Sequence, residues 1–235
     1  MGKFISRFGV RLNRIQWVIW TASMLCIVAA NILGTTDLLS FAASIVGVTS
    51  LVFAAAGGLL GPLLMIVFSA LYGIISWQTA YYGEMITYLG MTAPMSVLAL
   101  VSWARHPAGT DSVQVKIADL HRRDIVILVS TTVLVTSIFY YILAALRTAN
   151  LPMSTLSVTT SYAAAYLTWK RSPAYALAYA ANDAVLIVLW SAALPTNSAY
   201  LSVVICFAVF LVNDVYGFIS WQQMKRRQKA QSSMR

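Results

Sequence analysis

Charged residues, cysteine and histidine are scarce in this sequence of 235 residues. Asp, Glu, Lys and Arg make up 10% of it, whereas 60% is hydrophobic and the mean hydropathy is +0.76. Because a soluble domain of this size needs a more polar surface, the composition excludes that class of protein. Cys26 and Cys206 lie in apolar runs, and His106 and His121 share one polar connection. The sequence therefore predicts no disulfide framework, no metal site and no cofactor.

Long apolar runs make up most of the chain. A helix of about 20 residues covers the roughly 30 Å hydrocarbon core of a bilayer. Eight segments fit this length, so the sequence predicts an all-α integral membrane protein with eight transmembrane helices. The sixth is the least apolar, although its Ser and Thr hydroxyls can bond to carbonyls of their own helix. The predicted spans are Ile15–Leu33, Leu38–Ala56, Leu59–Ala80, Gly83–Ala104, Ile125–Leu146, Leu151–Trp169, Pro173–Ala193 and Ser198–Trp221.

Basic residues are distributed unevenly among the connections. With eight spans, every Lys and Arg except Arg147 lies on one side of the membrane. Because basic residues are retained in the cytoplasm, this distribution predicts a cell-membrane protein with both termini cytoplasmic. The same topology explains the net charge of +9 and removes nucleic acid as an expected partner. All seven Trp residues lie near predicted helix ends, which for most of them is typical of an aromatic belt at the headgroup layer, whereas a minority could stack on a flat ligand.

Two groups of three spans resemble each other. Their middle helices open with Gly-Leu-Leu-Gly-Pro62 and Lys-Arg-Ser-Pro173, and their last helices end with Ser-Trp103 and Ser-Trp221. Four crossings separate corresponding positions, which predicts a parallel repeat about an axis along the membrane normal. The alternative is that two generic apolar stretches look alike by chance. The predicted organisation is a cytoplasmic N-terminus with an extra helix (1–34), a first triple-helix bundle (37–104), a loop with a linker helix (105–149), a second triple-helix bundle (150–222) and a basic cytoplasmic tail (223–235).

Two Asn-Asp pairs lie deep in the last two predicted spans. At 1.5 Å per residue, Asn182 and Asp183 are about 15 Å from the basic end of the seventh span, and Asn213 and Asp214 are about 12 Å from that end of the eighth. An Asp near the bilayer centre costs at least about 2.5 kcal/mol, so these side chains should face protein or water. They either hydrogen-bond one another across the two helices or line a cavity that binds a solute.

Several motifs resemble those of the PnuC family of vitamin transporters. They are Tyr82-Gly-Glu-Met85, the segment that begins with Pro94-Met and ends with Trp103-Ala-Arg, and Val-Asn213-Asp-Val-Tyr-Gly. The resemblance implies an N-terminal extra helix, a 3+1+3 core of two parallel triple-helix bundles like that of the SWEET sugar transporters, and a homotrimer. It also implies facilitated diffusion of nicotinamide riboside or, in other branches, of thiamine or nucleosides. The family pattern Trp-x-x-Trp-x-x-x-Asn reads Tyr175-Ala-Leu-Ala-Tyr-Ala-Ala-Asn182 here.

The deep polar residues indicate the kind of solute that such a membrane protein would bind. An Asp pair in a medium of low dielectric suits a cationic ring compound, Asn side chains suit ribose hydroxyls, and aromatic side chains stack on a ring. Glu84, in contrast, is interpreted as a solvated residue of the first turn of the fourth helix, where it favours the dipole. The expected substrate-binding residues are Asn182, Asp183, Trp190, Asn213, Asp214, Tyr216, Tyr88, Gln78 and Tyr175.

Three other functions stay open from the residues. The Asp pair could carry a proton and couple uptake to it, or it could serve an intramembrane enzyme, although no catalytic constellation is predicted around it. The chain could also be a scaffold that transports nothing. No Gly-rich loop that could bind a phosphate occurs in the connections, which argues against an ATP-driven pump. The expected partners are a small-molecule solute, the lipid bilayer and further copies of the chain.

Overall fold

The computed structural model describes residues 10–34, 38–78, 82–109, 112–148, 150–195 and 200–233. Eight helices account for most of this part of the chain. We label them α1 to α8 in chain order: Arg14–Gly34, Leu38–Ala55, Leu60–Gln78, Tyr82–Arg105, Arg122–Ala145, Leu151–Trp169, Ala174–Ala193 and Tyr200–Ser233. The predicted helix limits at Ala80 and Ser198, and the basic residues Lys3, Arg7 and Arg235, lie outside the described residues.

The predicted spans agree with these helices closely, with one exception at a described end. Helix α8 was expected to end at Trp221, but it continues to Ser233. Gln228 holds this extension against the loop before α5, because its Nε2 donates to the Val115 carbonyl at 3.0 Å and its Oε1 accepts from the Ile117 amide at 2.9 Å. The segment predicted as a basic tail is therefore helical as far as it is described.

Seven helices in the described part of the chain are long and apolar enough to cross a membrane, and α6 is the remaining one. Its hydroxyls account for its lower hydropathy, and several of them bond to the helix itself. Thr155 donates to the Leu151 carbonyl and Thr159 to the Thr155 carbonyl, each at 2.8 Å. These bonds lower the free-energy cost of placing a hydroxyl group in a hydrocarbon layer. Helix α6 can therefore be as long as its apolar neighbours.

Six of the helices form a closed ring. Contacts run from α2 to α3, α4, α6, α7 and α8, and back from α8 to α2. Helix α1 lies outside the ring against α2 and α8, and α5 lies outside against α6. We call the end of the ring that carries the loop 106–121 and the connection 170–173 the basic end, and the other end the opposite end. Side chains from all six helices fill the interior between them.

Helix α4 is interrupted where the sequence predicts a kink. Its turn Tyr88–Thr92 is π-helical and ends two residues before Pro94. Proline lacks an amide proton and its ring crowds the carbonyl four residues earlier, so a wider turn accommodates it within a continuous helix. The wide turn is buried on the side of Tyr88 and Met91, which places Tyr88 in the interior of the ring.

Five of the seven tryptophans fall into two groups, and Trp20 and Trp169 are half-buried. Trp17 and Trp77 are 53% and 62% exposed, in agreement with a position in the headgroup layer. Trp103, Trp190 and Trp221 are at most 3% exposed, so the aromatic-belt interpretation is wrong for these three. They lie near helix ends, as a belt residue does, but their rings point into the ring of helices and not toward lipid.

Candidate functional site

Two equivalent contacts close the basic end of the ring. In the first, the end of α4 is bonded to the end of α6. Trp103 Nε1 donates to the Thr168 carbonyl at 2.9 Å, and the neighbouring Ser102 hydroxyl donates to the Trp169 carbonyl at 2.9 Å. Both acceptors belong to the last turn of α6, where helix carbonyls lack partners within the helix. The dipeptide Ser102–Trp103 thus joins α4 to α6 and supplies hydrogen-bond donors to the carbonyls at the end of α6.

The second contact repeats the first with the other three-helix group. Trp221 Nε1 donates to the Ala54 carbonyl at 2.8 Å, and the Ser220 hydroxyl donates to the Ala55 carbonyl at 2.7 Å. These bonds join the end of α8 to the end of α2. The Trp103 and Trp221 rings meet in the interior with centroids 5.2 Å apart. We call the dipeptides Ser102–Trp103 and Ser220–Trp221, together with the carbonyls to which they donate, the twin Ser-Trp contacts.

The loop between α4 and α5 covers the twin contacts. The Val115 amide donates to the Gly57 carbonyl at 3.0 Å, and the Ala118 amide donates to the Arg171 carbonyl at 3.1 Å. Gly57 and Arg171 follow α2 and α6, and both have a positive φ, of 72° and 57°. One loop therefore bonds to matching turns on both sides of the ring.

Ion pairs at the surface hold the same loop to the extended α8. Lys225 and Lys229 contact the Asp119 carboxylate at 2.5 and 3.1 Å. Hydrogen bonds from both lysines hold the pKa of Asp119 below its usual range. Because Asp119 is 53% exposed, these pairs contribute little beyond fixing the position of the loop.

Asp183 and Asp214 meet in the interior of the ring. Asp183 on α7 is 3% exposed and Asp214 on α8 is 4% exposed. Their carboxyl groups lie near each other. Two carboxylates that are close together in a medium of low dielectric repel each other, so the pair is expected to hold one proton. The ion pairs found in the described residues involve neither carboxyl group.

Asn182 does not join the Asp pair. Its Oδ1 accepts from three hydroxyls of α6, those of Ser157 at 3.3 Å, Thr160 at 2.9 Å and Ser161 at 2.9 Å. The hydroxyl-rich sequence of α6 therefore has a partner that the sequence analysis missed. An amide oxygen has two lone pairs, so three donors saturate it and leave Nδ2 to donate elsewhere.

Asn213 faces away from the pair as well. Its Nδ2 donates to the Ser23 hydroxyl of α1 at 3.0 Å and to the Val209 carbonyl at 2.8 Å. The interpretation in which all four polar groups bond one another across α7 and α8 is therefore wrong for the two Asn residues. The carboxyl groups of Asp183 and Asp214, in contrast, lie near each other.

Two further residues expected at the site lie apart from the Asp pair. Tyr216 is half-buried on the side of α8 that faces the chain before α1, where its hydroxyl accepts from Asn13 Nδ2 at 3.3 Å. Gln78 is exposed at the last residue of α3, at the opposite end of the ring. Periodicity alone did not separate these faces, because it does not reveal that α1 covers one side of α8.

The remaining expected aromatic residues lie above and below the Asp pair. Tyr175, on the basic side, is near Asp214 and packs on Trp221 with centroids 4.8 Å apart. Tyr88, on the other side, is near Asp183 and packs on Tyr72 with centroids 4.4 Å apart. Trp190 belongs to the same cluster as Tyr88, together with four aromatic residues that were not predicted: Phe68, Tyr72, Phe207 and Phe210. The Asp pair is thus enclosed between two aromatic layers.

A hollow lies in the half of the molecule toward the opposite end. It is an open space of about 580 Å³, part of which is continuous with the outside, between α1, α2, α3 and α8. Phe68, Tyr72 and Phe207 form its wall toward the interior, and Asn31 and Ser202 lie near its outer end. The aromatic layer around Tyr72 therefore separates the hollow from the Asp pair.

Glu84 is a buried acidic residue near the opposite end. It is 4% exposed, so its interpretation as a solvated residue of the first helical turn is wrong. The neighbouring Gly83 packs against Leu143 and Thr148, which closes the outer side of this turn. Glu84 precedes Tyr88 by four residues and so shares the interior face of α4. That spacing was visible in the sequence and indicated burial.

Known proteins resemble this chain in sequence and in fold. Residues 37–223 match the family described as nicotinamide mononucleotide transporter. The nicotinamide riboside transporter PnuC of Neisseria mucosa is 25% identical over 197 residues, which are 82% of this chain and 75% of that protein. The crystal structure of the vitamin B3 transporter PnuC superposes with a TM-score of 0.82, covering 97% of this chain and 99% of that one at 21% identity. This structural likeness supports the fold.

Proposed function

The chain belongs to the nicotinamide mononucleotide transporter (PnuC) family, and we propose that it carries nicotinamide riboside across the cell membrane by facilitated diffusion. The observation that supports this most is the family match, which covers all six helices of the ring. The name of the relative from Neisseria mucosa supports nicotinamide riboside as the solute. Thiamine and deoxynucleosides are the next candidates, since they share a ring joined to a polar group.

We further propose that the ring consists of two parallel triple-helix bundles, α2–α4 and α6–α8, joined by α5. The twin Ser-Trp contacts support this arrangement because each joins the third helix of one group to the first helix of the other. In this arrangement α6 crosses the membrane as the eighth span. The basic end is cytoplasmic, because basic residues concentrate there and Arg147 lies at the other end.

A homotrimer is the proposed assembly. Helix α5 presents a long apolar face away from the ring, where Val126, Val133 and Tyr141 are 63%, 61% and 73% exposed. In a membrane protein such a face contacts lipid or another copy of the chain. Mass measurement of the protein in lipid nanodiscs tests the assembly, and a monomer under those conditions would overturn it.

The proposed solute site is the interior between the two aromatic layers. The carboxyl groups of Asp183 and Asp214 would balance the positive charge of the pyridinium ring, whose transfer from water is otherwise costly. Tyr88 and Tyr175 flank the pair and offer ring faces, and Asn182 Nδ2 can donate to a ribose hydroxyl. Asn213 bonds to α1 and Tyr216 to the chain before it, which favours structural roles for both, and Gln78 lies away from the proposed site.

Uptake into liposomes tests the proposal. The purified protein is reconstituted, and entry of labelled nicotinamide riboside is followed down its gradient in the absence of ATP. Saturable entry that unlabelled nicotinamide riboside competes away is the expected result. Saturable entry of thiamine or a deoxynucleoside but not of nicotinamide riboside would retain the transport class and replace the solute. A protein that carries none of them would contradict the proposal.

Two substitutions locate the site within the same assay. Asp183→Asn keeps the size of the side chain and removes its ability to ionise, so entry of the cation should fall at least about tenfold. Gln78→Ala, at an exposed helix end, is the matched control and should transport normally. Equal rates for the two variants would place the solute elsewhere in the ring.

Proton-coupled uptake is a second candidate, which the proximity of the buried Asp183 and Asp214 carboxyl groups favours. The shared proton would leave when a cation binds beside the pair, because the opposite charge stabilises both ionised carboxyl groups. The proton and the cation then cross in opposite directions, so uptake should accelerate when the side that receives the solute is the more acidic. An ionophore that removes the pH gradient distinguishes the candidates, since facilitated diffusion would continue unchanged.

A further inference from the structure

Glu84 is the buried carboxyl group that the proposed site does not use. Its side chain lies in the interior of the ring toward the opposite end, and it is 4% exposed. Oε2 of this side chain is buried and has no hydrogen-bond partner among the residues that the structure describes. A buried carboxyl oxygen without a donor is costly unless a cation or a proton compensates it. The position therefore suits a positively charged ligand.

Two tyrosines accompany this carboxyl group. Tyr88 lies one turn after Glu84 on the same face of α4, and Tyr72 of α3 is also near it. The two rings pack with centroids 4.4 Å apart and an angle of 51° between their planes. Aromatic faces attract cations, and this attraction increases where water is excluded. One carboxyl group and two rings thus offer the groups that recognise an organic cation.

Glu84, Tyr72 and Tyr88 lie between the hollow and the Asp pair. Tyr72 forms part of the wall of the hollow, and Tyr88 is near both Glu84 and Asp183. A solute that enters from the opposite end would reach Tyr72 and Glu84 before it reaches Asp183. A cation that moves along this path lacks its hydration shell throughout the interior. A negatively charged side chain near each position that it occupies therefore lowers its free energy.

We propose that Glu84, Tyr72 and Tyr88 form an outer binding position for the positively charged ring of the solute, which holds the cation before it reaches the Asp pair. This inference rests on the proposed transport of nicotinamide riboside. The ligand class is an N-substituted aromatic cation such as a pyridinium. A neutral molecule of the same shape gains nothing from the carboxyl group, so this position selects for charge and not for the ribose.

A pair of solutes that differ in charge but hardly in shape tests the outer position. Nicotinamide riboside carries one positive charge on its ring, and 1,4-dihydronicotinamide riboside is the neutral form of the same molecule. Initial uptake into liposomes gives KM for each form with the wild-type protein and with Glu84→Gln. We expect KM for the cation to rise about tenfold in the variant, because one buried charge contact is lost. KM of the neutral form should be unchanged.

Matched variants separate this effect from a general change in the protein. Asp119→Asn removes a carboxyl group at the basic end, far from the outer position, and should alter neither KM. Tyr72→Phe keeps the ring and should behave like the wild type, whereas Tyr72→Leu should raise KM for the cation alone. If Glu84→Gln does not fold, Glu84→Asp retains the charge with a shorter reach, and its KM for the cation should rise by a smaller factor.

The possible failures are distinguishable. If the wild-type protein carries neither form, the proposed function is wrong and the outer position falls with it. If the wild-type protein carries the cation and the Glu84 variants leave KM unchanged, the outer position alone is overturned. An equal rise of KM for both forms would also overturn it, because a loss that ignores charge assigns Glu84 a structural role.

Discussion

The two ends of the helix ring are built differently. At the basic end, Trp103 and Trp221 are at most 1% exposed, both indole nitrogens donate to backbone carbonyls, and a loop covers both contacts. Toward the opposite end, a hollow enters between the helices, and the buried carboxyl oxygen of Glu84 has no donor in the described part of the chain. The same six helices are thus closed at one end and incompletely packed at the other.

This difference indicates where the molecule is stable and where it can bind. Satisfied hydrogen bonds and dense packing stabilise a folded structure without a ligand. Space and unsatisfied polar atoms, in contrast, are stabilised when a ligand fills them. A transporter that alternates between two accessible states needs one end closed while the other is open. In this structure the basic end is the closed one.

The largest effect is expected from Trp221 and Trp103. Replacing either one by Ala removes a buried ring and leaves one carbonyl of a helix terminus without its indole donor, so each should lower the free energy of unfolding by about 3–5 kcal/mol. Trp77→Ala is the control, because Trp77 is 62% exposed and should cost far less. Thermal unfolding of the purified variants measures the difference. Equal losses for Trp77 and Trp221 would remove the contrast between the two groups of tryptophans.

The next largest effect comes from a glycine at the basic end. A Cβ atom on Gly61 would lie 2.7 Å from backbone atoms of Ala54, whereas one on Gly217 would meet Ala176 at an ordinary 3.6 Å. Gly61→Ala should therefore separate α2 from α3 and cost about 1–3 kcal/mol of stability, and Gly217→Ala should cost less than about 1 kcal/mol. Unfolding in denaturant measures both values. A more harmful change at Gly217 would show that the interior near Asp214 is the tighter region.

Smaller losses are expected from the hydroxyls of the twin Ser-Trp contacts. Ser102→Ala and Ser220→Ala each remove one hydrogen bond to the end of a neighbouring helix, which is worth about 1 kcal/mol. The two losses should be similar if the contacts are equivalent. Ser137→Ala serves as the control, since its exposed hydroxyl donates only to the Val133 carbonyl of its own helix. Differing losses for Ser102 and Ser220 would indicate that one contact dominates the closure.

The positions of the helices and the depth of the Asp pair could be predicted from the sequence. Hydrophobic length located every helix, because the bilayer imposes one thickness on all of them. The depth of Asp183 and Asp214 followed from the rise per residue, and the structure brings the two carboxyl groups together. These inferences need only distances along a helix axis.

Rotation about each helix axis was harder to infer. The sequence did not show that Asn182 bonds to α6 or that α1 covers Asn213, because partners depend on which helices become neighbours. A Trp near a helix end can belong to an aromatic belt or to a buried contact between helices. The prediction of a belt position was therefore wrong for Trp103 and Trp221. The prediction that Glu84 is solvated was wrong for a similar reason, because a residue near a helix end is not exposed to solvent when other helices cover that end.

The smallest effect is expected at the surface of the basic end. Lys225 and Lys229 hold the pKa of Asp119 below its usual value near 3.8, so the contribution of the pair to stability is complete above that value and is lost as the pH falls below it. Because Asp119 is 53% exposed, Asp119→Asn should cost less than about 1 kcal/mol at neutral pH, and less still in high salt. Unfolding of both proteins between neutral and acid pH should show the difference vanishing toward the acid side. A large loss that persists there would mean that the loop over the twin Ser-Trp contacts depends on the shape of this side chain, and the closure of the basic end would then extend to its surface.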